Sequence, residues 1–201
     1  LKIAVFVSGR GSNLKAILEC IDLQNLIEVS AVFSDKSECK AFEIAVQYKI
    51  ETFIVGEGKE KIGTSDLVNV LTELKVELVV LAGYLKLVPS ELINIFKNRI
   101  INIHPALLPS FGGKGMYGIN VHRAVFNSSV KVSGATVHIV DSTYDTGKII
   151  AQKCVDISDV ESPEEIAERV LEIEHKILPE VLKAFALNKI KFIDERVIVT
   201  N

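Results

Sequence analysis

Cysteine is scarce. The chain carries three, Cys20, Cys39 and Cys154, far apart and without a CxxC pair. That rules out a disulfide framework, offers no thiolate zinc spacing, and suits thiols in a reducing compartment. Concentrated positive charge is missing too. Lys and Arg total 23 against 26 Asp and Glu, a formal net charge of −3, with no long basic run. Binding a phosphate backbone needs a dense cationic footprint, so nucleic acid is not an expected partner. The longest apolar stretch, LVVLAGYL from Leu78, stops at Lys86, well short of the ~18 residues of a membrane helix. The N-terminal IAVFV is too short for a signal-peptide core, and no small-residue cleavage site follows it. A cytoplasmic protein with no membrane partner is the expectation.

What is present is 201 residues with 48% hydrophobic content, enough to bury one full core. No repeat, low-complexity tract or linker divides them, so a single domain over residues 1–201 is expected. In the first half, strand-like KIAVFVS, EVSAVFS, TFIV, ELVVLAG and RIINI alternate with helical NLKAILECI, CKAFEIAVQY and SDLVNVLTEL. A further helix is expected to open at Pro89, a favoured first-turn residue. Short apolar strands alternating with helices mean a parallel sheet covered on both faces. Beyond Phe111 the pattern changes. GGKGMYG reads as a loop, and a short helix over Val121 to Phe126 follows. VSGATVHIV and KIIAQKCVDI read as antiparallel neighbours. Ser162-Pro163-Glu164-Glu165 has capping-box spacing and starts a long amphipathic helix that Pro179 could bend. KFIDERVIV reads as a closing hairpin. The fold class is α/β: an open, mostly parallel twisted sheet with helices on both faces and antiparallel additions in the C-terminal half.

Two short motifs carry chemistry. SGRGSNL, from Ser8 to Leu14, ends the first strand and opens a helix, where free N–H groups and the helix dipole favour an anion. Gly9 and Gly11 allow close backbone approach. Leu14 replaces the third glycine of a dinucleotide fingerprint, and Ser12 and Asn13 offer side-chain donors, so a phosphomonoester fits better than a pyrophosphate. A tight turn with no ligand is the plain alternative.

The second motif is RIINIHPALLPSF. Asn102 and His104 lie two apart, on one side of a strand that Pro105 stops at the ligand-binding rim of a parallel sheet. An amide and an imidazolium can both donate to one oxygen as it gains charge. A carboxylate should sit nearby to hold the histidine cationic. Asp141 and Asp145 in DSTYDTGKI are the candidates, Asp141 also suiting the start of an Asx turn.

SGRGSNL, VVLAGYLKLV, NIHPALLPSF, Asp145-Thr146-Gly147 and Glu174-His175 occur in this order. Together they resemble, from end to end, the folate-dependent glycinamide ribonucleotide formyltransferase family, whose fold is of the Rossmann-like formyltransferase type. The resemblance implies transfer of a formyl group from 10-formyltetrahydrofolate to the glycine amine of glycinamide ribonucleotide in purine (IMP) biosynthesis, without a metal. It implies that Asn102 and His104 hold the oxyanion, with His104 as proton donor and Asp145 raising the pKa of His104. It implies ribonucleotide contacts at Gly11, Ser12 and Asn13 and at Leu171, Glu172, Ile173 and Glu174. Folate contacts are implied at Leu85, Lys86, Leu87 and Val88, at Asn102, and at Asp141, Ser142, Thr143, Tyr144 and Asp145. A basic residue that meets the folate is expected at Lys59 or Lys61. Lys86 stands where relatives often have arginine, and Lys148 where they often have proline. GGKGMYG is longer than the matching loop of many relatives and is expected to be either a flap over the site or a surface insertion. A monomer or homodimer is expected. Formyltetrahydrofolate deformylase and methionyl-tRNA formyltransferase share parts of the signature. Each needs an additional terminal domain, for which this sequence is expected to leave no place.

Overall fold

The computed structural model describes residues 1–200. Strand β1 (Lys2–Val7) is buried from Ile3 onward and pairs in parallel with β2 (Glu28–Ser34) on one side and β4 (Leu78–Leu81) on the other. Strand β3 (Glu51–Ile54) extends the sheet beyond β2, and β5 (Ile100–His104) continues it in parallel beyond β4. Strands β6 (Val132–Ile139) and β7 (Ile149–Asp156) then add antiparallel, giving the order β3-β2-β1-β4-β5-β6-β7. The five parallel strands match the five apolar runs read from the sequence, because strands covered on both faces need apolar residues at nearly every position. A two-stranded hairpin, β8 (Ile190–Ile193) and β9 (Arg196–Val199), follows.

Each sheet face has its own core. On one face, α1 (Ser12–Glu19), α2 (Lys40–Gln47) and α6 (Pro163–Ala186) pack Leu14, Ala41 and Ile177 against Val5, Val32 and Val80. On the other, α3 (Thr64–Glu73) and α4 (Ser90–Ile95) bring Leu67, Leu71 and Leu92 onto Phe6, Phe33 and Val79. Helix α5 (Ile119–Asn127) rests on α6 and sends Val125 into the first core.

Local chemistry sets the helix ends. Glu165 N–H donates to Ser162 Oγ at 3.2 Å, and the Glu165 carboxylate accepts from Ser162 Oγ and from Glu161 N–H, with Pro163 at the first helical position. This is the predicted cap. Pro179 lies inside α6 without ending it. Proline costs the helix one internal bond, but Ile177, Leu178, Val181 and Leu182 on both sides are buried in the first core and hold the turn. Pro89 differs from expectation: its ψ of 139° is extended, so it precedes α4 rather than starting it. Pro105 does end β5, whose last pair is His104 with Thr136.

Gly147 fixes how the β6–β7 connection lies. A Cβ there would overlap the Ile139 carbonyl oxygen, part of the backbone. Gly147→Ala should therefore lower stability by about 1–3 kcal/mol or more. It should also reduce activity, since Asp145 lies two residues away. Thermal melting with Gly9→Ala as control checks this, because no atom lies within 4 Å of a Cβ at Gly9. Equal melting temperatures for the two variants would refute the close-packing argument.

Candidate active site

The strand order reverses at β1, whose neighbours β2 and β4 lead away in opposite directions, and the crevice beyond such a reversal is where open α/β sheets bind ligands. A cavity of about 590 Å³ opens there. Its walls come from the turn after β1, the segment after β4, the end of β5 and the β6–β7 loop. The loop before α5, His122 of α5, His138 of β6 and Glu174 of α6 complete them.

Gly11 shapes the first wall. Its φ of 78° is left-handed, and a Cβ would come 2.7 Å from Ala41 Cβ. Glycine is required here by the turn and by contact with α2 as well as by any ligand. No side chain caps α1, so the N–H groups of its first turn remain available to an anion. Asn13 departs from its expected part as a free donor: its Nδ2 donates to Glu174 Oε2 at 2.6 Å. Ser8 ties this wall to the next, because its hydroxyl accepts from Leu85 N–H at 3.0 Å while donating to Asp35 Oδ1 at 2.6 Å.

Asn102 and His104 project from the end of β5 on the side opposite Ile101 and Ile103, which enter the first core. Asp145 comes to meet them from the β6–β7 loop. Its Oδ2 lies 3.6 Å from His104 Nδ1, and its Oδ1 accepts from Asn102 Nδ2 at 3.4 Å. Asp145 Oδ2 also accepts from Gly113 N–H at 2.8 Å. The far ring nitrogen of His104 donates to the Phe111 carbonyl at 2.9 Å. Both anchors use unusual backbone: φ is 59° at Asp145 and 56° at Phe111.

His138 completes the cluster and was not expected from the sequence. It pairs with Asn102 across β5 and β6. Its Nδ1 donates to the Ile139 carbonyl at 2.8 Å; Nε2 accepts from Asn102 Nδ2 at 3.1 Å in the neutral ring, and when protonated it faces Asp145 Oδ1, 3.6 Å away. Both hydrogens of the Asn102 amide are thus engaged, the bond to Asp145 being the longer.

The charges follow from burial. Burial pushes His104 below the ordinary histidine value, and His138 adds to that, while Asp145 and the Phe111 carbonyl pull it up without overcoming the desolvation. The carboxylate acts in the direction expected of it, but the net displacement is downward. Burial alone would raise the Asp145 carboxyl. The nearness of His138, the charge of His104 and the Gly113 N–H together hold it below the usual carboxylate range.

The formyl transferase family model matches residues 1–182 of the chain. The chain belongs to that family. It is 45% identical to the chloroplastic phosphoribosylglycinamide formyltransferase of Arabidopsis thaliana, over 98% of this chain and 69% of that protein. It is 38% identical to the phosphoribosylglycinamide formyltransferase of Bacillus subtilis strain 168, over 90% of this chain and 93% of the relative. The crystal structure of phosphoribosylglycinamide formyltransferase from Anaplasma phagocytophilum superposes with a TM-score of 0.89 at 36% identity, covering 100% of this chain and 95% of that one.

Most residues expected of this formyltransferase line the cavity: Gly11, Ser12, Asn13 and Glu174, then Leu85, Lys86, Leu87 and Val88, then Asp141, Thr143, Tyr144 and Asp145. Asp141 also forms the Asx turn, accepting from Thr143 N–H at 2.9 Å. Ser142 falls outside the wall, as do Leu171, Glu172 and Ile173. On a helix only one residue in this run faces the cavity: Glu172 is exposed and Ile173 packs on the first core, leaving Glu174. Lys59 and Lys61 do not line the cavity either; its cations are Arg10, Lys86 and Lys114. Gly113 to Gly118 form part of the wall, so the glycine-rich loop borders the site. Among the described residues no group of three or more His, Cys, Asp or Glu is placed to hold a metal ion. No described helix is long and apolar enough to cross a membrane.

Proposed function

We propose that this formyltransferase moves the formyl group of 10-formyltetrahydrofolate onto the glycine amine of glycinamide ribonucleotide, in the de novo purine (IMP) route. The products are formylglycinamide ribonucleotide and tetrahydrofolate. The observation that carries the reading is the meeting of Asn102, His104 and Asp145 at one cavity, in a chain of this family. On one side of them lies an uncapped helix start suited to a phosphate. On the other lies Leu85–Val88, whose apolar side chains and backbone polar groups suit a flat pterin.

In this reaction the amine lone pair forms the new C–N bond while the formyl C=O electron pair moves onto oxygen. Asn102 and His104 donate to that oxyanion. The attacking nitrogen gives up a proton toward Asp145, directly or through water. His104 delivers one to the folate nitrogen as the old C–N bond breaks. The amine itself is the nucleophile, so no serine or cysteine is required. Ser12 and the first-turn N–H groups hold the phosphate, Glu174 the ribose or glycinamide end, and residues 141–145 the pterin edge. The chain acts as one formyltransferase domain in the cytoplasm, as a monomer or homodimer, without a nucleic-acid partner.

The test is to mix the protein with 10-formyltetrahydrofolate, with and without glycinamide ribonucleotide. Formyl loss only with the amine present is expected. Equal loss without it, releasing formate, would make the protein a hydrolase.

A further inference from the structure

Four buried side-chain polar atoms have no hydrogen-bond partner among the described residues: Asn13 Oδ1, His122 Nδ1, Ser133 Oγ and His175 Nε2. Only Asn13 and His122 line the cavity. A buried polar atom without a partner costs about 1–3 kcal/mol, so such an atom beside a cavity calls for a ligand. Asn13 belongs to the turn already expected to meet the ribonucleotide. Nothing above gives a ligand to His122.

His122 lies on the buried face of α5 and is 5% exposed, between Val121 and Val125 in a helix otherwise held by apolar contacts. A histidine in so apolar a place is a poor core residue unless its nitrogens are used. Its position narrows the use. Helix α5 packs on α6, the helix that carries Glu174. Val88, expected on the pterin side, packs instead with the second core, on the opposite face of the sheet. His122 is therefore carried by the helix pair that also brings Glu174 to the cavity. It is also close enough to His104 for that ring's charge to act on it, and both rings line the one cavity.

We propose that His122 is a binding residue for the amine substrate: its imidazole accepts a hydrogen bond from the glycinamide end and turns the amine toward the formyl carbon held before Asn102 and His104. The proposal rests on the formyl-transfer reading above. Its chemistry needs a free ring lone pair, and burial, aided by His104, pushes the His122 pKa down to about 4. The ring is thus neutral wherever the enzyme would work, with one nitrogen always able to accept. An uncharged acceptor also leaves the nucleophile's own lone pair available for attack, because it gives the amine no proton.

Steady-state kinetics with each substrate varied in turn tests this. His122→Phe, which fills the space without nitrogens, should lower kcat/KM for glycinamide ribonucleotide by about tenfold, the loss of one well-made hydrogen bond. The KM for 10-formyltetrahydrofolate should stay within about twofold, and His122→Asn should recover much of the loss. Unchanged kinetics, or equal damage toward both substrates, would overturn the proposal. Should the variants fail to fold, nitrogen NMR of the wild-type imidazoles decides. Glycinamide ribonucleotide alone should shift the His122 signals and formyl folate alone should not; a ribonucleotide that saturates the enzyme and leaves them unmoved overturns the idea. Wild-type turnover runs in parallel. If it is absent, the formyl-transfer reading fails and the proposal with it. If it is present while His122→Phe is indifferent, only the proposal fails.

Discussion

Asp145→Asn should reduce turnover by about 10²–10⁴-fold, the usual range for a positioned acid–base group, with little change in either KM. Besides the charge the substitution changes one contact: with its oxygen toward Gly113, the new amide NH2 faces the Asn102 amide that donates to Asp145 Oδ1. Asparagine tolerates the left-handed backbone at φ 59° about as well as aspartate does. Its side-chain oxygen can still accept from Gly113 N–H, so the loop keeps its anchor. What disappears is the charge. Among the described residues Asp145 is the only carboxylate acting to raise the His104 pKa against the desolvation that lowers it. Without it the imidazole should titrate lower still and seldom hold the proton the leaving nitrogen needs. The attacking amine would also lose the base toward which its proton moves. Single-turnover kinetics, with the His104 titration followed by NMR, measures both effects. Near-normal turnover would remove Asp145 from the chemistry.

Glu174→Gln should make the protein more stable at alkaline pH and almost no more stable in acid. The carboxyl is 8% exposed and accepts one hydrogen bond, from Asn13. Burial raises its pKa from 4.5 to about 7, against the opposing effect of Asn13. A carboxyl that holds its proton more tightly when folded stabilises the protein below the unfolded value of about 4.5. That contribution fades as pH rises through about 7, because the unfolded chain ionises freely and the folded one must bury the charge. At about 1.4 kcal/mol per tenfold, the difference approaches ~3 kcal/mol by pH 8. Glutamine keeps an acceptor for Asn13 and cannot ionise. Urea unfolding of both proteins at pH 4 and pH 8 should show the gap opening mainly at the higher pH. Equal gaps would mean the carboxylate is not desolvated. The variant should also bind glycinamide ribonucleotide more weakly, a gain in stability set against function at a site that holds a charge in reserve.

Asn102 and His104 were legible because strand alternation and a stopping proline are local rules. The capping box at Ser162 and the Asx turn at Asp141 were legible for the same reason. His138 was not, although it sits on the same face as Thr136 in a clearly alternating strand. Seeing its role requires the β5–β6 register that sets it opposite Asn102, and register between strands about 35 residues apart is not written in either segment. Along α6, a run of four candidates reduced to Glu174 once the helix had a defined orientation. Lys59 and Lys61 failed for a related reason: a basic residue in a loop says nothing about which wall the loop reaches.

The amino-acid sequence by itself determined the parallel sheet, its helix boundaries within a residue or two, the phosphate-type turn and the pair at the end of the fifth strand. Each depends on periodicity or on backbone preferences that act over a few neighbours. Only the tertiary structure decided which carboxylate meets His104, that the Asn102 amide is shared with His138, and that His122 faces the cavity unpartnered. Those are distances between segments far apart in the chain, set by the packing of whole elements against one another.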